Sequence, residues 1–312
     1  MKFVIKKIAG LIITLLIVSI LAFLAFEVIP GDPARTILGT EATEGKVQAL
    51  REEMGLNRPL PQRYGQWLGE FIMGDMGTSY SYQIPVRDMI GDKIPITITL
   101  TVIAFFFIIL FSIPVSVLCV RYENKLVDRL FLIFNQITMS VPPFFVGIVF
   151  TVLFGLLFRL FTPGGYVPYT ESVSGFLGYL ILPGAAIALP KAAMSTKMLR
   201  NSLLAEMRQD YVRTAMSRGN GFWRVLMRHV LRNGILPVIT FLGWAIADVI
   251  TNSIVIEQVF GIPGLGRTLI SSISKRDYPV VEAVIVLIAV VILVINVIVD
   301  LLYRKLDKRI EV

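Results

Sequence analysis

The sequence predicts an all-α integral membrane protein: six transmembrane helices, with a partly folded extracytoplasmic loop after the first. Three observations predict it. Of the 312 residues, 55% are apolar and only 17% charged, against about 25% charged in an ordinary soluble domain. The apolar excess gathers in uncharged runs near the roughly 20 residues that cross a bilayer. Lys and Arg are concentrated in alternate connections between those runs. A soluble enzyme, a disordered chain and a disulfide scaffold are excluded, the last because Cys119 has no intrachain partner.

The runs cover residues 8–29, 94–120, 130–158, 176–190, 233–256 and 279–303. The fourth is short unless it begins near Ser172, and the fifth contains one acid, Asp248. An even number of spans puts both termini on one side. Residues 1–7, 121–129, 191–232 and 304–312 hold 3, 3, 9 and 4 Lys or Arg, nineteen in all, against four in the two shorter opposite connections. By the positive-inside rule both termini are cytoplasmic. The net charge of +8 is mostly this bias and does not point to nucleic acid. The start, with Lys2, Lys6 and Lys7, carries too long an apolar run for a cleaved signal peptide and reads as an uncleaved span. The organisation is therefore 1–29, cytoplasmic N-terminus and first helix; 30–93, extracytoplasmic loop; 94–303, a five-helix core containing the loop 191–232; and 304–312, a cytoplasmic tail. Pro114, Pro142, Pro143 and Pro183 each remove a backbone donor inside a run, so kinks are expected there.

The loop 30–93 opens with the turn-rich Pro30-Gly31-Asp32-Pro33. Val47, Leu50 and Met54 follow helical spacing up to a Gly55 stop, and Tyr64, Trp67, Leu68, Phe71 and Ile72 form one apolar stripe. Nine acids exceed seven bases, which argues against an anion site. The loop reads either as a docking cap or as a packed plug. In the loop 191–232, residues 210–219 form a short amphipathic helix with a glycine stop. Tyr211, Val212, Ala215 and Met216 fall within an arc of about 140° at 100° per residue, with Arg213, Thr214, Ser217 and Arg218 opposite. So short a helix is marginal alone. Its apolar arc is expected to stand bare for a cytoplasmic partner or, alternatively, to dock on the protein's own span ends.

The segment Arg213-Thr214-Ala215-Met216-Ser217-Arg218-Gly219, followed by Trp223-Arg224-Val225-Leu226, His229-Val230-Leu231-Arg232-Asn233 and Leu236-Pro237, resembles the cytoplasmic coupling loop of ATP-binding-cassette (ABC) importer permeases, in the form used by the dipeptide, oligopeptide and nickel subfamily. Pro30-Gly31-Asp32-Pro33-Ala34, Gly55-Leu56 with Pro59-Leu60, Gly74-Asp75 with Gly77-Thr78-Ser79, Val259-Phe260 with Pro263-Gly264-Leu265-Gly266-Arg267, Arg276-Asp277-Tyr278-Pro279-Val280-Val281 and Asp300-Leu301-Leu302-Tyr303 are similar to that family in order and spacing. The resemblance spans essentially the whole chain and is nearest to the first of the two permease subunits, the one with a long outer loop. It departs at Arg213-Thr214-Ala215, where the superfamily has Glu-Ala-Ala, in the longer distance from Gly219 to Pro237, and at Lys308, where proline is usual.

The resemblance implies a type I ABC importer permease fold in a bacterial or archaeal cytoplasmic membrane, with peptide or a related small solute, such as a nickel complex, as cargo. The implied partners are membrane lipid, a homologous second permease subunit, two ATPase subunits that carry ATP and Mg, and an extracytoplasmic substrate-binding protein. The coupling residues would be Tyr211, Val212, Arg213, Thr214, Ala215, Met216, Ser217, Arg218 and Gly219. No cofactor or metal is expected in this chain. It is not read as an enzyme: Gly261–Thr268 approaches a phosphate loop but sits between two spans, with Arg267 in place of lysine, and Ser272 to Lys275 lacks its companion motifs. A secondary transporter would need inverted repeats and several mid-span ionisable groups.

Asp248, near the middle of the fifth run, costs roughly 2.5–3.5 kcal/mol on insertion scales and needs a partner or water. With Thr251 and Asn252 it is a candidate for the pathway lining; the alternative is a bond to another helix or subunit. Glu257, Gln258, Arg267, Arg276 and Asp277 are candidates for docking the external binding protein.

Overall fold

The structure, a computed structural model, describes residues 2–28, 33–39 and 42–306. The expected Pro30-Gly31-Asp32 turn and the departure at Lys308 lie outside the described residues. The described chain contains α1 (Lys2–Val28), α2 (Pro33–Leu38), α3 (Glu44–Glu53), α4 (Leu60–Ile72), α5 (Val86–Gly91), α6 (Ile94–Arg121), α7 (Leu126–Met139), α8 (Pro143–Phe150), α9 (Val173–Met207), α10 (Asp210–Ser217), α11 (Phe222–Val225), α12 (Leu231–Gly234), α13 (Leu236–Phe260), α14 (Leu265–Ser274) and α15 (Tyr278–Leu306). Among the described residues, five helices are long and apolar enough to cross a membrane, or six if one sharply bent pair counts as a single span. The chain divides into two compact units, Met1–Thr97 with Pro263–Val294 and Ile98–Ile262 with Ile295–Val312.

The bent pair corrects the third expected span. Instead of one helix over 130–158, α7 and α8 meet at 103°. Pro142 disfavours the helical conformation at Val141, its own backbone is extended (ψ 143°), and Pro143 then occupies the first turn of α8, where a missing N–H is harmless. Pro114 and Pro183 behave differently. Both lie within unbroken helices, α6 and α9.

A second correction concerns the fourth span. Rather than ending at Pro190, the helix runs from a Ser172 cap, whose hydroxyl accepts from Gly175 N, through Pro190 to Met207, 35 residues in all. At 1.5 Å per residue that is about 52 Å, well beyond a hydrocarbon layer of about 30 Å. α9 is the axis of the second unit, packed against α7, α8 and α13. Gly184 allows its crossing with α6, because a Cβ there would come within 2.6 Å of Ile103 Cγ2. The Ser116 hydroxyl lies 3.0 Å from the Thr196 carbonyl, and Tyr179 donates to the last carbonyl of α13, Phe260 O, at 2.6 Å.

Between α7 and α9 lies an ion pair that apolar patterning does not reveal. Arg200 Nε and Nη2 donate to Asp128 Oδ1 and Oδ2 at 2.7 and 2.6 Å, and Asn124 N–H adds a bond at 3.0 Å. Asp128 is 1% exposed and Arg200 11%. A planar two-point contact of this kind satisfies both charges where water is excluded.

In the first unit, α3 ends at Met54 with Gly55 in the left-handed region (φ 66°), at the expected glycine stop. Two members of the α4 stripe lie against a neighbouring span: Phe23 of α1 packs on Tyr64 and Trp67 at 5.6 and 5.9 Å, and the Ser19 and Tyr64 hydroxyls are 2.8 Å apart, whereas Ile72 at the end of the stripe is exposed.

Removing one partner of a sealed pair strands the other. Asp128→Ala should therefore cost about 3 kcal/mol, read as a fall in Tm of roughly 5 °C or more in detergent. Asp128→Leu combined with Arg200→Met should recover most of it, and an unchanged Tm in Asp128→Ala would contradict the brace.

Candidate functional site

The loop 191–232 is mostly helical. α10 starts after Gln209 and ends at Arg218, with Gly219 left-handed at φ 84°, a conformation any side chain would strain. The Tyr211 hydroxyl donates to Glu206 Oε2 at 2.5 Å. Burial and that bond to a carboxylate push its phenol above the ordinary tyrosine range. Asn220 Nδ2 donates to Ala215 O at 3.0 Å, and Arg121 lies over the Phe222 ring at 5.0 Å.

The expectation of a wholly bare apolar arc is corrected here. Val212 is 2% exposed and belongs to a core with Val117, Leu199, Leu203, Leu226 and Val230, against which Ala215 also packs. Its cause is geometric: 140° is wide enough to meet two surfaces. Val212 and Ala215 meet the ends of α6 and α9 and the helix that follows α11. Tyr211 and Met216 stay outside, with Met216 38% exposed beside exposed Arg213, Thr214, Ser217 and Arg218. From α11 the chain continues as a π-helix, Leu226–Val230, burying Val225, Leu226 and Val230 while Trp223 and Met227 remain exposed. The loop is thus seated on its own spans through one face and presents a mixed apolar and basic face outward.

Asp248 has a partner. Lys191 Nζ of α9 lies 2.5 Å from its Oδ2, Asn252 Nδ2 donates to the same oxygen at 3.0 Å and to Asp248 O at 2.8 Å, and Lys191 Nζ is also 5.9 Å from the Trp244 ring. Thr251 is exposed and donates to Ala247 O at 3.0 Å. Lys191, assigned from its charge to the start of a loop, is instead a mid-helix residue neutralised by the acid of α13. The pair is half-open: the side chains are 18% and 31% exposed.

Of the five outer candidates, Gln258, Arg267 and Arg276 are exposed, whereas Glu257 and Asp277 are fully buried and cannot form a docking surface. Asp277 is a fastener. It accepts from Ser79 Oγ at 2.5 Å, Tyr80 N at 2.8 Å and Ser81 N at 3.4 Å, and Pro279 Cβ would lie 3.6 Å from a Cβ on Gly77. Two motifs some two hundred positions apart thus meet in the first unit. The same unit holds a cleft of about 1020 Å³ lined by both signs of charge, among them Arg51, Arg63, Glu70 and Asp75. Among the described residues, no group of three or more His, Cys, Asp or Glu is placed to hold a metal.

A bundle of long apolar helices around paired interhelical charges, with a helical loop seated on the span ends, has the architecture of a multi-pass membrane protein. Comparison with known proteins gives the family. Residues 112–312 match the family described as the binding-protein-dependent transport system inner membrane component, and residues 1–101 its N-terminal counterpart. The chain belongs to that family of inner-membrane transport permeases. It is 37% identical over 308 residues to a protein of Brucella abortus named as a peptide transport system permease, covering 99% of this chain and 98% of that one. It is 33% identical over 309 residues to a Sinorhizobium fredii protein named as a peptide ABC transporter permease, covering 99% of each. To the glutathione transport system permease protein of Escherichia coli K12 it is 34% identical over 311 residues, covering 100% of this chain and 99% of that one.

The divided arc makes a prediction. Val212→Asp drives a carboxylate into the core and should raise trypsin cleavage at Arg213 or Arg218 in membranes by about tenfold or more, since a buried unpaired charge costs several kcal/mol. Met216→Asp should leave cleavage near the wild-type rate. Equal sensitivity in both would contradict the division.

Proposed function

We propose that the chain is the first permease subunit of an ABC importer for peptides and forms half of the translocation pathway. The partners in this reading are a homologous second permease subunit, two ATPase subunits supplying ATP and Mg chemistry, and an extracytoplasmic binding protein that delivers cargo. Relatives named for peptide and glutathione transport cover nearly the whole chain, which supports peptide over a nickel complex. The bent α7–α8 pair counts as one span, giving six, and the excess of Lys and Arg in alternate connections supports cytoplasmic termini and a cytoplasmic loop 191–232.

The observation that carries the mechanism is the divided helix α10. A lever needs a firm seat and a free grip. Val212 and Ala215 supply the seat in the chain's own core, and Tyr211, Met216, Arg213 and Arg218 supply an exposed face for an ATPase groove. Because the seat is close-packed, and packed interiors transmit displacement rather than absorb it, closure of the ATPase pair on ATP moves the ends of α6 and α9 with the loop. That motion drives the spans between inward-open and outward-open states through contacts that differ in the two. Asp248, Thr251 and Asn252 belong to the pathway side in this reading. Gln258, Arg267 and Arg276 remain, each by its own exposure, as candidates for outer docking.

The test is Met216→Arg. It leaves the seat untouched and puts a charge in the grip, so the variant should insert and bind the second permease subunit normally while retaining less than about a tenth of ATPase capture, on the scale of a single interface hot spot. Full ATPase capture by Met216→Arg would contradict the coupling assignment.

A further inference from the structure

Two interhelical ion pairs in the second unit differ in kind. Asp128–Arg200 is sealed, two-pronged and supported by a backbone N–H. Lys191–Asp248 has its closest approach at 2.5 Å and remains partly exposed on both sides. Its contacts fall on one oxygen: Lys191 and Asn252 both meet Oδ2, so among the described residues Oδ1 has no hydrogen-bond donor. Lys191 keeps donors to spare, since an ammonium has three.

The surface around the pair is equally distinctive. Along α13, Pro237, Thr240, Trp244, Asp248, Thr251, Val255 and Gln258 are the exposed or half-exposed positions on one side, within an arc of about 80° at 100° per residue. Four of the seven are polar. Along α6 the fully exposed positions of the corresponding stripe, Ile98, Val102, Phe106 and Leu110, are all apolar, and half-exposed Thr99 is the polar residue among them. A lipid-facing stripe resembles that of α6, because polar and charged groups are expensive against hydrocarbon and cluster on cavities or partners. The outward stripe of α13 therefore faces something other than lipid.

We propose that this stripe lines the pathway and that Lys191–Asp248 is an exchangeable binding site for zwitterionic peptides. The inference rests on the peptide-importer reading and deepens it. A peptide with free ends carries one ammonium and one carboxylate, the same two charges the pair holds. The incoming ammonium takes Asp248, entering at Oδ1, and a peptide carboxylate takes Lys191 as the pair parts. Each charge exchanges one opposite partner for another, so no charge is left unpaired during passage. Between cargoes the pair closes again and keeps the pathway neutral. Trp244, whose ring already lies near the Lys191 ammonium, offers a second surface for a cation.

The experiment uses the assembled importer in proteoliposomes: both permease subunits, both ATPases and the binding protein loaded with a short peptide. In Lys191→Met/Asp248→Leu the two charges are replaced by apolar groups of similar size, so the complex should assemble and hydrolyse ATP while peptide uptake falls at least about tenfold, the scale for losing charge-assisted contacts. A companion variant, Thr251→Cys in a Cys119→Ala background, should react with a charged, water-soluble thiol reagent and be protected by loaded binding protein. Normal uptake in the double variant, with Thr251→Cys still labelled and protected, overturns the exchange site and leaves the pathway reading standing. Absence of labelling in both nucleotide-free and ATP-bound complexes, or loss of the second permease subunit from the double variant, assigns the stripe to a subunit interface and overturns both. A wild-type complex that takes up no peptide overturns the peptide reading itself.

Discussion

A charge buried between helices must be matched by charge, and in the second unit that constraint organises the helices. α9 contributes a cation to each of two acids, Arg200 to Asp128 of α7 and Lys191 to Asp248 of α13. Both bonds hang on one 35-residue helix that also carries the Gly184 crossing and the Ser116 and Tyr179 links. The positions of α7 and α13 relative to α9 are thus fixed by chemistry with direction, which apolar packing alone does not supply. The two pairs divide the work: one is closed to solvent and satisfied at every oxygen, while the other retains accessible surface and an undonated oxygen.

The same division between firm and available recurs in α10. Eight residues cannot hold a helix unaided in water, and α10 is held because half its apolar arc belongs to the core built by α6, α9 and the helix after Gly221. The other half, with its flanking arginines, has no such anchor. In the proposed mechanism, rigidity on one side and availability on the other let one short helix pass a displacement between proteins. The π-helical stretch Leu226–Val230, following directly, supports the seat, since its buried Leu226 and Val230 are in the same cluster as Val212.

Much of this was legible in the sequence. The apolar runs locate the long helices, Gly55 and Gly219 mark real helix ends, and Tyr64 and Trp67 of the α4 stripe pack on α1. What escaped was long-range pairing. Reading along the chain, Lys191 ends an apolar run and Asp248 interrupts one; only three-dimensional proximity turns two anomalies into one neutral unit. Asp128 and Arg200 were hidden in the same way among ordinary loop charges. Glu257 and Asp277 misled in the opposite sense, since an acid near a span end looks available until its burial is in view, and for Asp277 its backbone donors as well. The 103° break at Pro142–Pro143 was signalled by the double proline, but its size was not, because the angle depends on what α8 packs against. The relatives place the chain in its family without distinguishing the two halves of α10 or the two ion pairs.

The central claim is that the Lys191–Asp248 contact opens around cargo. A cryo-electron-microscopy map of the complete importer, trapped with peptide between its permease subunits, tests it most directly. The account predicts density for the peptide against the Thr240–Gln258 side of α13, with the Lys191 ammonium and the Asp248 carboxylate parted and each facing the cargo. A map with the peptide elsewhere and the pair still closed would contradict it.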